Sequence, residues 1–528
     1  MRRLLIHTGS FRQELYLLGL FLMVVAVGTL VILNPADAYI GPGLAFDQLG
    51  LRLAVGLGFG PTAVVAPLYP FYLSFFYGWI GYSHQAVLLS QVLLLAGATS
   101  AIALIVRYLG LSPRYAWLAG ALFGLFPQSL ALLRHFSPTL LILLLWVVAI
   151  HVWIRNRPHP SWFEAGFAGL LFGSTLLGRF GLWIPIGVLL VLRGTFPRRR
   201  HLFQSSNGAP ESGRSAPEAT ADSKTPAPAP AAAPAPTAGP APAPALTSAP
   251  APAPALTSAP APTAGGSRGR WRIFLRAVFA GLIVFCTVTP WIVRNSRLHG
   301  ELVFVDSTWA MRWRAATIPG EHTIDYVIPG RTTRVPDHMP VLSNRLALGE
   351  VVGFASAEPG KTLRIWSRRA GVLVGFSGWN DAATLDRFPY EGPAFRIFQA
   401  LVYGLLLSLA SSWFVLLRAR GRPEALLAKG WLGLAFVGIV TGGIADARIL
   451  SLAFLVPLAM RGLWGLLVQL RVRLRPRESD PVAGWSPLRA YPNDDPWPTG
   501  VEAATPLRWA AFILLVVTIW AHGLSGLA

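Results

Sequence analysis

The sequence predicts an all-α polytopic membrane protein. Three observations carry this prediction. Of its 528 residues, 53% are hydrophobic and only 13% charged, with mean hydropathy +0.50, a balance soluble domains rarely reach. About 11 apolar segments approach the ~20 residues a helix needs to cross a hydrocarbon core. Arginine-rich stretches recur on alternate connections between them, the pattern of positive-inside loops.

In chain order, the apolar segments lie near 14–33, 84–106, 115–133, 138–154, 162–178, 181–196, 271–291, 395–417, 427–444, 449–469 and 508–526. The first follows Arg2, Arg3 and Arg12 and is as long as a full span, so it reads as a retained signal anchor. Residues 66–80, "APLYPFYLSFFYGWI", are apolar but short and Pro-interrupted, which fits a re-entrant or interfacial helix. Arg107 with Arg114 and the basic stretches 155–160, 193–201, 268–272, 418–422 and 471–477 orient the spans with the N-terminus in the cytoplasm. The opposite side receives 34–83, a turn near 134–138, a turn near Arg179, the long loop 291–394 and a turn at 445–448.

The chain divides into two halves. Residues 1–203 form an N-terminal transmembrane half with the first outer loop, 34–83, and 268–470 a C-terminal half with the large loop, 291–394. Between them, 204–267 is Pro/Ala-rich, and "APAPALTSAP" occurs at 241–250 and again at 251–260. Such sequence lacks the apolar surface to fold and favours extended polyproline II, so it reads as a disordered cytoplasmic linker. A polar, Pro-rich cytoplasmic segment, 471–506, precedes a last span at 507–528.

The net charge of +21 could suggest nucleic acid, but the basic residues sit beside apolar runs and are accounted for by loop orientation, so no nucleic-acid partner is expected. Cys286 is the sole cysteine and lies in an apolar run, which excludes an intrachain disulfide and a cysteine-ligated zinc. No GxSxG, GxxxxGK[ST] or HExxH occurs, and no His/Cys cluster has metal spacing. No motif demands a cofactor, and a divalent metal stays open. Membrane lipids are the expected surroundings.

The non-cytoplasmic ends of the spans carry an unusual polar set: Asp47, Arg52, Arg134, His135, Arg179, Arg294, Asn295, Arg297, Asp446 and Arg448, with His299 nearby. Ionisable groups at this depth are costly, and arginines here run against the positive-inside bias. Several guanidinium forks converging at one interface suit a phosphate, which they bind bidentately. Snorkelling to headgroups or pairing with carboxylates is the structural alternative. Residues 46–59, "FDQLGLRLAVGLGF", read as a short amphipathic helix ending at Gly56 or Gly58. Asp47 near its start could cap the helix, or act as a general base beside an apolar cavity.

These stretches resemble a known superfamily. "FDQLGLRLAVGLGF" followed by "APLYPFYLSFFYGWIG" resembles the first outer loop of bacterial GT-C-fold glycosyltransferases, which include the protein O-mannosyltransferases and the aminoarabinose transferase acting on lipid A. Members commonly show "YDxLAxNLxxGxGF" and then "PPLYPxFLAxxYxxxG". "TPWIVRNSRLHGELVFVDSTWAMRW" (289–313) resembles the element after the seventh span, and "ASAEPGKTLRIWSRR" (355–369) the amphipathic helix of the large loop. "LLGRFGLWIPI" (176–186) and "ADARILSLAFLVPL" (445–458) are similar to elements that place Arg179 and Arg448 on the family's arginines.

The resemblance implies a GT-C-like helical bundle in the bacterial inner membrane, a polyprenyl-phosphate-sugar donor on its outer face, and inverting transfer to an acceptor glycan, lipid or protein. It implies that Arg294, Arg179, Arg448, Arg134 and Arg297 hold the donor phosphate, and that an acidic residue of the first loop is the base. The family's usual Asp lies about five residues before Asp47, where Pro42 stands here, so Asp47 or Asp37 would substitute. The "TE" many members carry after the third span is absent from "FSPTLL" (136–141). Both departures also fit a catalytically inactive lipid- or glycan-binding protein on the same fold.

Overall fold

Long runs of Leu, Ala, Val and Phe, with Gly and Pro at their ends, fold as helices, and no strand occurs among the described residues. The computed structural model describes residues 2–33, 43–60, 65–134, 136–155, 161–195, 267–300, 302–305, 313–314, 317–318, 344–374, 393–416, 422–441, 444–474 and 505–525. Asp37, Pro42, His135, most of 204–267, much of 291–394 and most of 471–506 lie outside the described residues. Contacts divide the chain into two units, Met1–Thr195 with Ile273–Ala528, and Phe196–Arg272. The first unit carries the helical bundle; of the second, only 267–272 are among the described residues.

The helices are α1 (Arg2–Ile32), α2 (Gly43–Ala54), α3 (Leu68–Trp79), α4 (His84–Tyr108), α5 (Pro113–Gly124), α6 (Pro127–Ala131), α7 (Thr139–Ile154), α8 (Trp162–Gly178), α9 (Trp183–Thr195), α10 (Ser267–His299), α11 (Asn344–Ala357), α12 (Pro359–Val374), α13 (Pro393–Leu416), α14 (Arg422–Thr441), α15 (Ile444–Leu474) and α16 (Pro506–Ser525). Ser83 caps α4 by accepting from the Ala86 amide, and Ser161 with Glu164 forms a capping box at α8.

Five stretches are long and apolar enough to cross a membrane: Glu14–Ile32, His84–Tyr108, Trp271–His299, Pro423–Val440 and Ala447–Leu467. Pro113–Gly124 with Pro127–Arg134 makes a sixth if this pair, bent by 50°, is one span. Thr139–Ile154, Ala400–Leu416 and Pro506–Ala521 are apolar but shorter. Among the described residues the chain is therefore all-helical, with the makings of a multi-pass membrane protein. Its surface agrees: only 17% of the Glu14–Ile32 window is buried, and Leu18, Leu22 and Leu30 are exposed. In water such a face would aggregate, whereas in hydrocarbon it costs nothing.

Several boundaries differ from the sequence reading: α2 ends at Ala54 instead of at Gly56 or Gly58, and three larger differences follow. The expected span 115–133 breaks at Phe126, whose ψ of 127° is extended, because Pro127 disfavours helical backbone in the residue before it. The expected span 271–291 continues as helix to His299 through Pro290. Arg294, Asn295 and Arg297 therefore stand on the helix instead of following it. Pro290 removes one amide from the ladder, but Thr287 and Thr289 hydroxyls donate to the Ile283 and Phe285 carbonyls, and the turns on either side continue. Likewise α15 runs from 444 to 474 through Pro457.

Helix α15 is the hub. Of its Ala447–Leu467 window 78% is buried, and it packs against α4, α5, α7, α13 and α14. Trp146 of α7, fully buried, meets Phe172 of α8 and Phe454 of α15 edge-on, each at 5.7 Å. Close crossings use glycine. Gly169 and Gly173 of α8 let α10 approach at Ala280 and Thr287, and Gly462 of α15 lies against the Leu409 carbonyl of α13.

Candidate functional site

Asp47 is the fifth residue of α2 and is only 6% exposed, so it does not cap the helix, one of the two roles its position near the start allows. Its carboxylate is engaged from outside the helix. Oδ1 accepts from the Tyr77 hydroxyl of α3. Oδ2 accepts from the Tyr82 hydroxyl at 2.7 Å and lies 3.4 Å from His84 Nε2, at the first turn of α4. Because Tyr82 spends its single proton on Asp47, its oxygen accepts from His84 Nε2, 2.8 Å away. That places an imidazole proton on Nε2. A buried carboxylate is thus satisfied by two phenols and an imidazole contributed by α3, the α3–α4 turn and α4. Tyr82 is 53% exposed, so the cluster opens on that side.

Tyr77 holds its proton far more tightly than an ordinary phenol. Burial is the main cause, and the hydrogen bond to Asp47 and its negative charge add to it. Nearby, burial pushes Tyr72 up to about 12, partly offset by its bond with Ser90. For Tyr77 the sign is set by the raised folded-state value: stability is complete below the ordinary phenol value of 10.0 and declines as pH rises above it, because the unfolded chain ionises and the folded one does not. Thermal-melting midpoints followed upward through that pH should fall more steeply in the wild type than in Tyr77→Phe. Parallel curves would mean that Tyr77 carries no such linkage.

The second part of the site joins α2 to α10. After α2 the chain turns through Gly56, Gly58 and Gly60, all at positive φ, a geometry glycine adopts without strain. This delivers Phe59 and Gly60 beneath Arg294. The Arg294 guanidinium donates to the Gly60 carbonyl and to Asn295 Oδ1 (2.7 Å), and lies 4.5 Å from the Trp291 ring centroid and 5.3 Å from that of Phe59. Arg52 Nη2 is 3.3 Å from where a Cβ on Gly60 would stand, so two guanidinium groups converge on that residue. Trp291 Nε1 and the buried Asn295 amide both donate to the Val305 carbonyl, at 2.9 and 3.1 Å, tying the returning chain to the helix.

A further cluster, built on helices other than those of the first two, centres on α12. Arg448, fully buried on α15, donates from Nε to the Leu373 carbonyl at 3.2 Å and lies 5.6 Å from the Tyr403 ring centroid. Arg369 of α12 donates to the Ile439 carbonyl of α14 at 3.4 Å. Leu373 and Ile439 are in the last turns of α12 and α14, where carbonyls lack intrahelical partners and the dipole favours a cation. These two arginines act as side-chain caps. Beside them an apolar cavity of about 130 Å³ is lined by Gly181, Trp183, Ile184, Trp313, Trp366 and Phe436.

Of the other residues singled out by sequence, Arg179 terminates α8 in extended backbone, Arg134 ends the 3-10 turn after α6, and Arg297 is exposed in the last turn of α10. Leu68 of α3 meets Gly178 of α8, which brings the start of α3 beside Arg179. Tyr77, Tyr82 and His84 were missed. Their signal is visible in "YGWIGYSH", a run of hydrogen-bonding side chains where an apolar stretch meets a helix start. Among the described residues, no group of three or more His, Cys, Asp or Glu side chains gathers as a metal site. No family model, curated protein or solved structure matches the chain.

Proposed function

We propose that this chain is a membrane glycosyltransferase that moves a sugar from a polyprenyl-phosphate donor to an acceptor on the outer face of the bacterial inner membrane. The observation that carries the reading is the junction of α2 with α10: the helix bearing Asp47 and Arg52 continues into the Phe59–Gly60 turn on which Arg294 rests. One short stretch of chain thus carries the candidate base and Arg52 and ends on the residue that Arg294 grips. The topology that goes with it has about 11 spans, the shorter apolar helices included, with the N-terminus in the cytoplasm.

In this mechanism Asp47 takes the proton of the acceptor hydroxyl as that oxygen attacks the anomeric carbon and the bond to the lipid phosphate breaks. The arginines stabilise the leaving phosphate, and the charge developing there is what their preorganisation offsets. Arg294 and Arg52 are the first candidates, and Arg179, Arg134 and Arg297 are the further ones the sequence offers. Arg448 would act from behind, by fixing α12. Tyr77, Tyr82 and His84 orient the carboxylate.

A second reading has a specific observation in its favour. Both oxygens of Asp47 already accept protein hydrogen bonds, which suits a structural carboxylate in a non-catalytic lipid- or glycan-binding protein on the same fold. The experiment that separates the two is donor turnover. Purified protein in nanodiscs is incubated with undecaprenyl-phosphate sugars and membrane extract, and released lipid phosphate is followed by mass spectrometry. Transfer reads as release that falls by about 10²-fold or more in Arg294→Ala, the usual loss for a transition-state donor. Donor bound without release would sink the transferase reading and leave the binding one.

A further inference from the structure

We infer that α12 is an anionic-phospholipid site, its exposed face binding headgroup phosphates of the leaflet in which it lies. Depth is the first argument. Arg369 grips the Ile439 carbonyl, one residue before the end of the apolar stretch Pro423–Val440, and Arg448, the second residue of Ala447–Leu467, grips the Leu373 carbonyl of α12. Helix α12 is therefore fastened where two candidate spans end, at the hydrocarbon boundary. A helix is about 10 Å across, comparable with the headgroup layer, so one lying at that boundary carries its far face among phosphates.

Charge is the second argument. Thr362 and Leu373 are buried against the bundle and Trp366 lines the apolar cavity. Lys361, Arg364 and Arg368 are exposed on the other side. Lys361 pairs with Glu358 at 2.6 Å, but neither Arg364 nor Arg368 has a carboxylate within ion-pair distance among the described residues. They stand one turn apart, so their guanidinium groups can share one ligand. Leu363, 67% exposed, flanks them on the apolar side. An amphipathic helix with cations on one face and an exposed leucine at its edge suits an interface of phosphates above acyl chains. Soluble phosphate would satisfy the arginines and leave Leu363 in water, so the lipid is the better occupant. This inference rests on membrane placement alone and not on sugar transfer.

The test uses the full-length protein in detergent micelles, titrated with phosphatidylglycerol or phosphatidylcholine of the same acyl chains, with bound lipid counted by native mass spectrometry. The wild type should prefer phosphatidylglycerol by about tenfold or more, two arginines at an anionic surface being enough for that. Arg364→Gln/Arg368→Gln should lose the preference, and the paired lysine variant should keep most of it. Equal retention of the two lipids by the wild type, or an undiminished preference in the glutamine variant, overturns the site. Hydrogen exchange on the wild type in nanodiscs gives a variant-free arm. Peptides from 359–374 should slow when phosphatidylglycerol replaces phosphatidylcholine. Unchanged exchange, or equal slowing by inorganic phosphate alone, counts against a lipid headgroup.

Discussion

Gly462→Leu should prevent the protein from accumulating as a monodisperse species. A Cβ added at Gly462 would sit 1.8 Å from the Leu409 carbonyl oxygen and 2.6 Å from Ser412 Oγ. The obstacle is backbone, so no rotamer change relieves it, and α15 must move away from α13. Because α15 also packs on α4, α5, α7 and α14, the displacement spreads through the bundle. Overpacking of this kind costs about 3 kcal/mol or more, a large share of a typical domain's stability. Fluorescence-detected size exclusion and a melting curve in detergent would measure it. Gly187→Ala on α9 is the matched control, since nothing lies within 4 Å of the added methyl and alanine is the better helix former. Equal behaviour of the two variants would refute the tight α13–α15 crossing.

Asp47→Asn should abolish donor turnover while leaving protein in the membrane. If the carboxylate takes the acceptor's proton, its loss costs about 10²–10⁴-fold in rate. Asparagine keeps one acceptor oxygen for Tyr77 or Tyr82 but presents an amide to the other phenol. Tyr77→Phe separates the roles: it removes one hydrogen bond from the cluster and keeps the base. Turnover should therefore survive Tyr77→Phe far better than Asp47→Asn at equal amounts of folded protein. Equal losses in both, tracking their melting temperatures, would make Asp47 a structural residue only.

The helical bundle was legible because hydrocarbon imposes one solution: apolar length and arginine placement are one-dimensional signals. The short helices at 43–54 and 68–79 were legible for a related reason, their glycine and proline punctuation. What was hidden depends on chain distance. That Asp47 would meet Tyr77, Tyr82 and His84 needs the α2–α3 hairpin to close, and pattern alone does not give its angle. The continuation of α10 to His299 was hidden because hydropathy bounds a span where apolar residues give way to Arg294, Asn295 and Arg297, whereas the helix itself runs on beyond the apolar stretch. The arginines show the deepest ambiguity. A cation at a span end reads alike whether it awaits a phosphate or caps a helix, and Arg448 and Arg369 turn out to hold carbonyls.

Those two caps have a consequence for biosynthesis. The Arg448–Leu373 bond joins residues 75 apart in the chain, and Arg369–Ile439 joins residues 70 apart. While the ribosome works through the intervening stretch, α12 exists but neither clamp does. At the usual ~5–20 residues per second, that interval is on the order of 4–15 s. For those seconds the part of α12 that α14 and α15 later cover is open, so the lipid interface is its provisional partner until those helices arrive to receive it.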